Sequence, residues 1–357
     1  MDYRSNITLA DAARLLGEAR HIIITTHTKP DGDAFGSVAA LKAALLQWRP
    51  RTKVDAWLMG PILPGFKCLR GMEVVKEFNE SVEVGEPDLI VVVDTGAWAQ
   101  VSPMRSIIES RLDRTLILDH HLSGDLPARH MYIDSKAAAC AGVIADVLDE
   151  IEGIATGGAV CAIDGEPNRL LCDPTVSESL FAGISSDTGW FKFSNTNAAT
   201  HVLAARLIRA GIDHANLYAR LEQSERPEKL ALQIRALQSL KLLANNTAAI
   251  MSLRAEDFTQ TGALAEETER FVDMPQAVES VKMVVMISQP PWHEGKEPRP
   301  AVRLSFRSKP GPDAVNVADF AAQFGGGGHA RAAGAKIDDD LNAIVKRVEE
   351  AVLAAMM

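Results

Sequence analysis

Three stretches of this sequence combine the composition of a buried strand with an ending that burial alone would not choose. HIIITTH (21–27), DLIVVVD (88–94) and TLILDHH (115–121) are near-continuous apolar runs rich in β-branched residues, and each closes on histidine or aspartate. A fourth run, TKVDAWLM (52–59), has no such ending. Segments with helical spacing separate them: LADAARLLGEA, SVAALKAALLQW and SPMRSIIESRL. Unbroken apolar strands alternating with helices predict an α/β domain whose parallel sheet is covered on both faces. AAACAGVIADVLDEI (137–151) and VSESLFAGISSD (176–187) add two further helices.

Near residue 225 the pattern changes. RPEKLALQIRALQSLKLL (226–243) reads as a connecting helix, followed by the strand-like runs AAIMSL, VKMVVMIS and AVRLSFRS. VNVADFAAQF then leads into GGGGHARAAG (325–334), and LNAIVKRVEEAVLAAM closes the chain as an amphipathic helix. The expected organisation is a larger α/β domain over 1–222, a connecting helix over about 223–243, and a smaller α+β domain over 244–357. QPPWHEGKEPRP (289–300) reads as a solvated loop between two strands.

At 357 residues and 47% hydrophobic, the chain is long and apolar enough for two cores. No apolar run reaches the roughly 18–20 residues of a membrane helix, and MDYRSNITLADAARLL has no basic leader before an apolar segment. Cys68, Cys140, Cys161 and Cys172 lie far apart with no C-x-x-C pair, so reduced thiols in a cytoplasmic protein are expected. A net charge of −10 argues against coating long duplex nucleic acid but allows a short anionic substrate in a local site.

The polar endings are metal-ligand residue types. If the three strands are parallel, His27, Asp31, Asp33, Asp94, Asp119, His120 and His121 gather beyond their carboxyl ends, where open α/β sheets bind ligands. Asp187, in GISSDTGW, sits among serine, threonine and glycine as if in a tight polar turn. Singly, PDGD is a plain turn, Asp94 a strand-end residue and the paired histidines filler. Three such endings on consecutive buried strands are hard to explain that way. Carboxylates at this density repel one another, and divalent cations remove the conflict. Oxygen ligands with one or two imidazoles suit Mn2+, and less distinctively Mg2+, Fe2+ or Co2+; an all-thiolate zinc site is excluded by ligand type. The number of ligands favours two metals about 3.5–4 Å apart, a pair that activates water at neutral pH and stabilises charge on a phosphoryl group.

GGGGHARAAG is read as neither strand nor helix interior, because consecutive glycines cost backbone entropy. It is no P-loop, having no GK[ST] and following a helical segment. Its expected use is close approach of backbone N–H groups to an anion or a flat base, with His329 donating to a phosphate and Arg331 adding charge. Upstream, Ser305-Phe306-Arg307-Ser308 closes a strand with an arginine suited to bidentate phosphate contact.

HTKPDGDAFGS, VVVDTG, LDHH and SSDTGWFKFSNT resemble, in order and spacing, the four motifs of the DHH phosphoesterases. FRSK…VNVADFAAQFGGGGHARAAG resembles the DHHA1 domain that follows them, so the likeness spans residues 8–350. The length and domain pair resemble the short-oligonucleotide branch, the nanoRNases or bifunctional oligoribonuclease and 3′-phosphoadenosine-5′-phosphate (pAp) phosphatases. This resemblance implies a parallel-sheet DHH domain, a smaller α+β DHHA1 domain and an active-site cleft between them. It implies that His27 and Asp31 hold one metal, that Asp33, His120 and Asp187 hold a second, and that Asp94 bridges the two. Asp119 would orient a neighbouring imidazole, and His121 would contact the scissile phosphate or assist the leaving group. In the second domain Arg307, Ser308, Gly325, Gly326, Gly327, Gly328, His329 and Arg331 would bind the terminal phosphate and base.

The implied partners are short RNA, other oligonucleotides or small nucleotides, with no membrane, and a homodimer is plausible by resemblance. The implied products are nucleoside 5′-monophosphates, with pAp losing its 3′-phosphate. A cyclic or linear dinucleotide phosphodiesterase shares the domain pair and is the alternative. A single-strand exonuclease, a family II pyrophosphatase and an inactive nucleotide sensor fit less well. Two departures stand out: the 152–173 connection is longer than the family usually has, and Phe35 replaces a smaller aliphatic residue.

Overall fold

A computed structural model describes residues 3–60, 62, 64–79, 84–153, 168–291, 301–311 and 313–356, and the chain divides into two units, Met1–Ser224 and Glu225–Met357. In the first, α1 (Leu9–Glu18) precedes β1 (His21–Thr25), α2 (Gly32–Trp48), β2 (Lys53–Leu58), β3 (Lys76–Glu77) and β4 (Leu89–Val93). A short α3 (Arg105–Glu109), β5 (Thr115–Asp119), β6 (His130–Ile133), α4 (Cys140–Ile151), α5 (Pro174–Asp187), α6 (Ala198–Arg209) and α7 (His214–Glu222) follow. The strands form one parallel sheet in the order β3-β2-β1-β4-β5-β6. All residues of β4 and β5 are buried. Their alternation decides which core each side chain joins. Ile22, Ile24, Val91, Val93, Leu116 and Leu118 pack with α2, α4 and α5, while Ile23, Ile90, Val92 and Ile117 pack with Val101, Met104 and Ile108.

The sheet order reverses direction at β1, so the carboxyl ends of β1, β4 and β5 lie side by side at a switch point. Helices α2 and α5 come unusually close above this edge. A β-carbon on Gly36 would sit 2.3 Å from Ser179 O, and one on Gly183 would sit 2.9 Å from Asp33 Oδ1. Only glycine allows that approach, and it sets the first turn of α2, with Asp33, beside the last turn of α5, with Asp187. Phe35 fills the same layer: it is fully buried, with its ring centroid 4.8 Å from that of Phe66.

In the second unit α8 (Pro227–Gln238) is followed by β7 (Lys241–Leu243), β8 (Ala248–Leu253), α9 (Ala255–Thr261), β9 (Met283–Ser288), β10 (Val302–Ser308), α10 (Val317–Ala322), β11 (Gly327–His329), β12 (Ala332–Ile337) and α11 (Leu341–Ala355). The sheet order is β11-β12-β10-β9-β8-β7, with β8 and β9 parallel and the other pairs antiparallel. One face packs on α10 and α11 through Phe306, Phe320, Phe324 and Val348. The other takes Leu232 and Ala236 of α8 and Phe258 of α9. The helix expected to connect the domains thus packs on the second sheet, and it stops at Gln238, with the following KLL becoming an edge strand.

The reading of GGGGHARAAG as non-strand is corrected. Gly327, Gly328 and His329 form β11 and pair with Gly334, Ala333 and Ala332 across a tight hairpin. The entropy penalty is offset by closeness. A β-carbon on Gly326 would meet Gly334 O at 2.1 Å, and one on Gly328, where φ is 144°, would meet Ala332 O at 2.6 Å. Strands β3 and β6 were not anticipated, because two residues and HMYI carry too little alternation to read. SPMRSIIESRL is only in part α-helix, over Arg105–Glu109. Residues 154–167, most of the unusually long connection, and residues 292–300 of the Pro-rich loop lie outside the described residues. Cys68, Cys140 and Cys172 are free thiols. Among the described residues no helix is long and apolar enough to cross a membrane.

Candidate active site

Each polar strand ending is placed by its own local structure. His27 follows β1 by two residues. Asp31 then caps α2, its Oδ1 accepting from Asp33 N at 3.0 Å and Ala34 N at 3.1 Å. Asp33, almost fully buried, caps a different helix. Its Oδ2 accepts from Cys140 N at 2.5 Å and its Oδ1 from Ala141 N at 2.9 Å. Helix α4 has no side-chain cap of its own, so its first N–H groups and positive end fix a carboxylate brought from 107 residues away. Asp94, one residue past β4, has φ of 61°, a left-handed conformation that aspartate tolerates better than most residues. Asp187 is the last residue of α5.

These side chains converge. His27 Nε2 lies 3.4 Å from Asp94 Oδ2 and 3.9 Å from Asp31 Oδ1. His120 Nε2 lies 3.4 Å from Asp94 Oδ1 and 3.8 Å from both Asp33 Oδ2 and Asp187 Oδ2. Among the described residues three groups result, His27–Asp31–Asp94, Asp33–His120–Asp187 and Asp94–Asp119–His120–His121, the donor atoms of each lying within 4.8 Å of one another, with Asp94 in two of them. His120 Nδ1 is 3.3 Å from the Ala137 carbonyl, which can only accept, so Nδ1 carries a proton and Nε2 is the nitrogen turned toward the carboxylates.

Asp119 is fully buried and stands behind this layer. Its Oδ1 accepts from His120 N at 2.7 Å, His121 N at 3.2 Å and His121 Nδ1 at 2.8 Å. Its Oδ2 accepts from the Tyr3 hydroxyl. Its oxygens are thus taken by hydrogen-bond donors, one of them the His121 ring, although it lies within 4.8 Å of donor atoms of Asp94, His120 and His121. Tyr3 was missed from the sequence. It lies 116 residues upstream of its partner, in no motif, and no periodicity marks it.

The electrostatics show a charge excess. Burial, with Asp94 and Asp187 nearby, pushes the Asp33 carboxyl well up. Burial, then Asp94 and Asp31, pushes Asp187 to about 6 against the pull of His120. Burial also acts to raise Asp94, but the neighbouring His120 and His27 rings outweigh it and hold Asp94 below the usual carboxylate range. Burial works against a charged His120, yet Asp94, Asp33 and Asp187 together draw a proton onto it and raise it to about 9. The hydrogen bond to Asp119 leads the causes that raise His121. Asp94 Oδ1 is buried without a hydrogen-bond partner. A divalent cation between Asp94 and His120 would satisfy that oxygen, take the place of the proton on Nε2 and cancel the carboxylate repulsion. The donor set therefore fits a divalent metal held by carboxylates and imidazoles.

The second-unit residues are differently placed. Arg307 lies on β10 with Nε 3.4 Å from Asp273 Oδ1 and Nη1 donating to Phe306 O at 3.1 Å. Ser308 is buried and donates to Ala330 O at 3.3 Å, which ties the strand to the hairpin turn. Gly327, Gly328 and His329 are exposed on the edge strand. Arg331, in the turn, donates to Lys309 O at 3.0 Å. Gly325 has φ of 71° where the chain leaves α10.

Comparison with known proteins agrees with this layout. Residues 21–184 match the DHH family, N-terminal domain, and residues 245–354 match the DHHA1 domain. A bifunctional oligoribonuclease and PAP phosphatase, NrnA, from Thermus thermophilus is 29% identical, over 93% of this chain and 89% of the relative. The protein of the same name from Bacillus subtilis is 25% identical, over 88% of this chain and 89% of the relative. The crystal structure of an exopolyphosphatase-related protein from Bacteroides fragilis shares the fold, with a TM-score of 0.82 at 20% identity over 98% of this chain and 96% of that one.

Proposed function

The chain belongs to the DHH family, with a DHHA1 domain following its DHH domain, and from that premise we propose that this phosphodiester hydrolase cleaves short oligonucleotides to nucleoside 5′-monophosphates and removes the 3′-phosphate of pAp. One observation carries the reading: groups of ligand-type side chains gather at the carboxyl edge of one parallel sheet, and Asp94, a member of the group with His27 and Asp31, also lies 3.4 Å from His120 of the group with Asp33 and Asp187. The relatives named for oligoribonuclease and PAP phosphatase activity, matched over most of their length, support the substrate class.

In this proposal His27, Asp31 and Asp94 would hold one divalent cation and Asp33, His120 and Asp187, with Asp94, would hold the other. Bound there, the pair would supply Lewis-acid activation of water and neutralisation of charge on the phosphoryl oxygens. The chain's own residues do the rest. The α4 N–H groups keep the Asp33 carboxylate in place. Asp119 holds the His121 proton on Nδ1, so that the other ring nitrogen meets the scissile phosphate or the departing 3′-oxygen. Arg307, His329, Arg331 and the backbone of residues 325–328 bind a terminal phosphate and its base, and Ser308 supports the turn that carries them.

The test is incubation of the full chain with Mn2+ and 5′-labelled RNAs of graded length, pAp, and linear and cyclic dinucleotides. Preference for the shortest RNAs together with turnover of pAp supports the proposal. Preference for long strands sinks it, and turnover confined to dinucleotides transfers the assignment to the alternative phosphodiesterase.

A further inference from the structure

Asp119 makes four hydrogen bonds, and their distribution is uneven. Three donors converge on Oδ1: the backbone N–H groups of His120 and His121 and the His121 ring at Nδ1. Among the described residues, Oδ2 has one partner, the hydroxyl of Tyr3. Asp119 is fully buried, so loss of that hydroxyl would leave a carboxylate oxygen in the protein without a donor, an arrangement native structures avoid. An ionised carboxylate accepts only, so the direction of every bond follows. The tyrosine gives its proton to Oδ2, and the His121 proton sits on Nδ1.

The ring of Tyr3 is seated as well as its hydroxyl. It lies between the backbones of two loops that follow β4 and β5. A β-carbon on Gly96 would come 2.1 Å from Tyr3 Oη, and one on Gly124 would come 2.4 Å from Tyr3 Cε2. The same loops are locked to each other, Gly96 O accepting from Asp125 N and Leu126 N at 2.9 Å. Two positions without side chains thus form a slot that admits an aromatic ring and points its hydroxyl at one carboxylate oxygen.

We infer that Tyr3 is a positioning residue for the reaction: by fixing the rotamer of Asp119 through Oδ2, it holds Oδ1 against His121 and so sets the tautomer and orientation of that imidazole. The inference rests on the proposed hydrolase reading for its kinetic consequence, but its structural content is independent of it. Outer partners of this kind fix which ring nitrogen keeps its lone pair. Tyr3 meets the cluster at Asp119, which lies among Asp94, His120 and His121, so its influence passes through Asp119 to His121.

Tyr3→Phe keeps the ring in its slot and removes only the hydroxyl. The expected result is a fall of about tenfold in kcat on a short oligonucleotide with KM unchanged, in the range for outer-layer partners of a metal site. In a His121→Ala background the same substitution is expected to add no further loss. Long-range 1H–15N correlations on 15N-histidine-labelled, Mg2+-loaded protein, taken at alkaline pH where the ring is neutral, should show His121 protonated at Nδ1 in the wild type and a mixture of tautomers in Tyr3→Phe. Gly124→Ala, which displaces the ring and keeps the hydroxyl, should give the same spectral change. Unaltered His121 ring shifts in both variants overturn the inference, as does an equal kcat loss with and without His121. The spectra need no turnover. A wild type inactive on every oligonucleotide would therefore defeat the proposed function and still leave the role of Tyr3 to be decided.

Discussion

The edge of the first sheet and the hairpin of the second unit both carry polar residues that the sequence marks out, yet they are built in opposite ways. At the first, Asp33 and Asp94 are buried and Asp33 accepts N–H groups from another helix. At the second, β11 is exposed and Arg307 is more than a third exposed. Under the proposed function, the contrast is what reaction and recognition each demand. Groups that stabilise a charged transition state act best when fixed beforehand in a low-dielectric site. Groups that capture an anion from water need only be presented with free donors, and screening limits what each contributes.

The largest effect expected from this contrast is at Asp94. Asp94→Asn is the informative change, because asparagine also tolerates the left-handed φ of 61°. The fold should survive while the shared negative charge disappears. The expected loss in kcat is about 1,000-fold or more, since outer-layer changes alone cost 10–100-fold at metal sites, and calorimetric Mn2+ binding should weaken in parallel. Activity near wild type would mean that the buried edge is not the reactive one, and the comparison would break.

Next comes a stability effect at the hairpin. Gly326→Ala drives a β-carbon into Gly334 O, 2.1 Å away. Overpacking of this kind costs about 1–3 kcal/mol, so a lowered midpoint of thermal unfolding is expected, with Mn2+ binding by the first unit unchanged. An unaltered midpoint would show that the exposed edge tolerates what the tightly packed α2–α5 contact could not, and would sharpen the contrast.

Arg307→Ala should act on binding alone. A hydrogen bond to a charged group contributes about 1.5–3 kcal/mol, so KM for the shortest RNAs should rise about tenfold or more with kcat nearly constant. A fall in kcat with KM unchanged would place Arg307 with the reacting groups and erase the division of labour.

How much of this could be read from the letters depends on how local the cause is. The runs at β1, β4 and β5 announce themselves because burial on both faces leaves them continuously apolar. Their polar endings follow directly, and so His27, Asp94 and His120 were legible from chain position. What fixes those endings was not. The cap that Asp33 gives to α4 and the bond from Tyr3 to Asp119 each join residues more than a hundred positions apart, and no window of sequence holds both partners. The glycine run misled for a related reason. Entropy is a property of the segment, whereas the close approach of Gly334 and Ala332 that favours glycine there comes from the partner strand. Strands β3 and β6 are edge pieces whose pairing, not composition, makes them strands.

The smallest effect tests how free the exposed arginine is. Asp273 Oδ1 stands 3.4 Å from Arg307 Nε, with the two side chains 46% and 36% exposed. An ion pair this open to solvent contributes little to stability. For an anionic substrate, however, Asp273 is a like charge beside the group proposed to receive the phosphate. Asp273→Asn removes that repulsion and keeps a polar neighbour, so KM should fall about twofold at low salt, and the difference should shrink as ionic strength rises, because exposed charges are screened over about 10 Å at 0.1 M. A rise in KM would mean that Asp273 holds the guanidinium in its productive orientation, and the hairpin side would then share the preorganisation so far seen only at the edge of the first sheet.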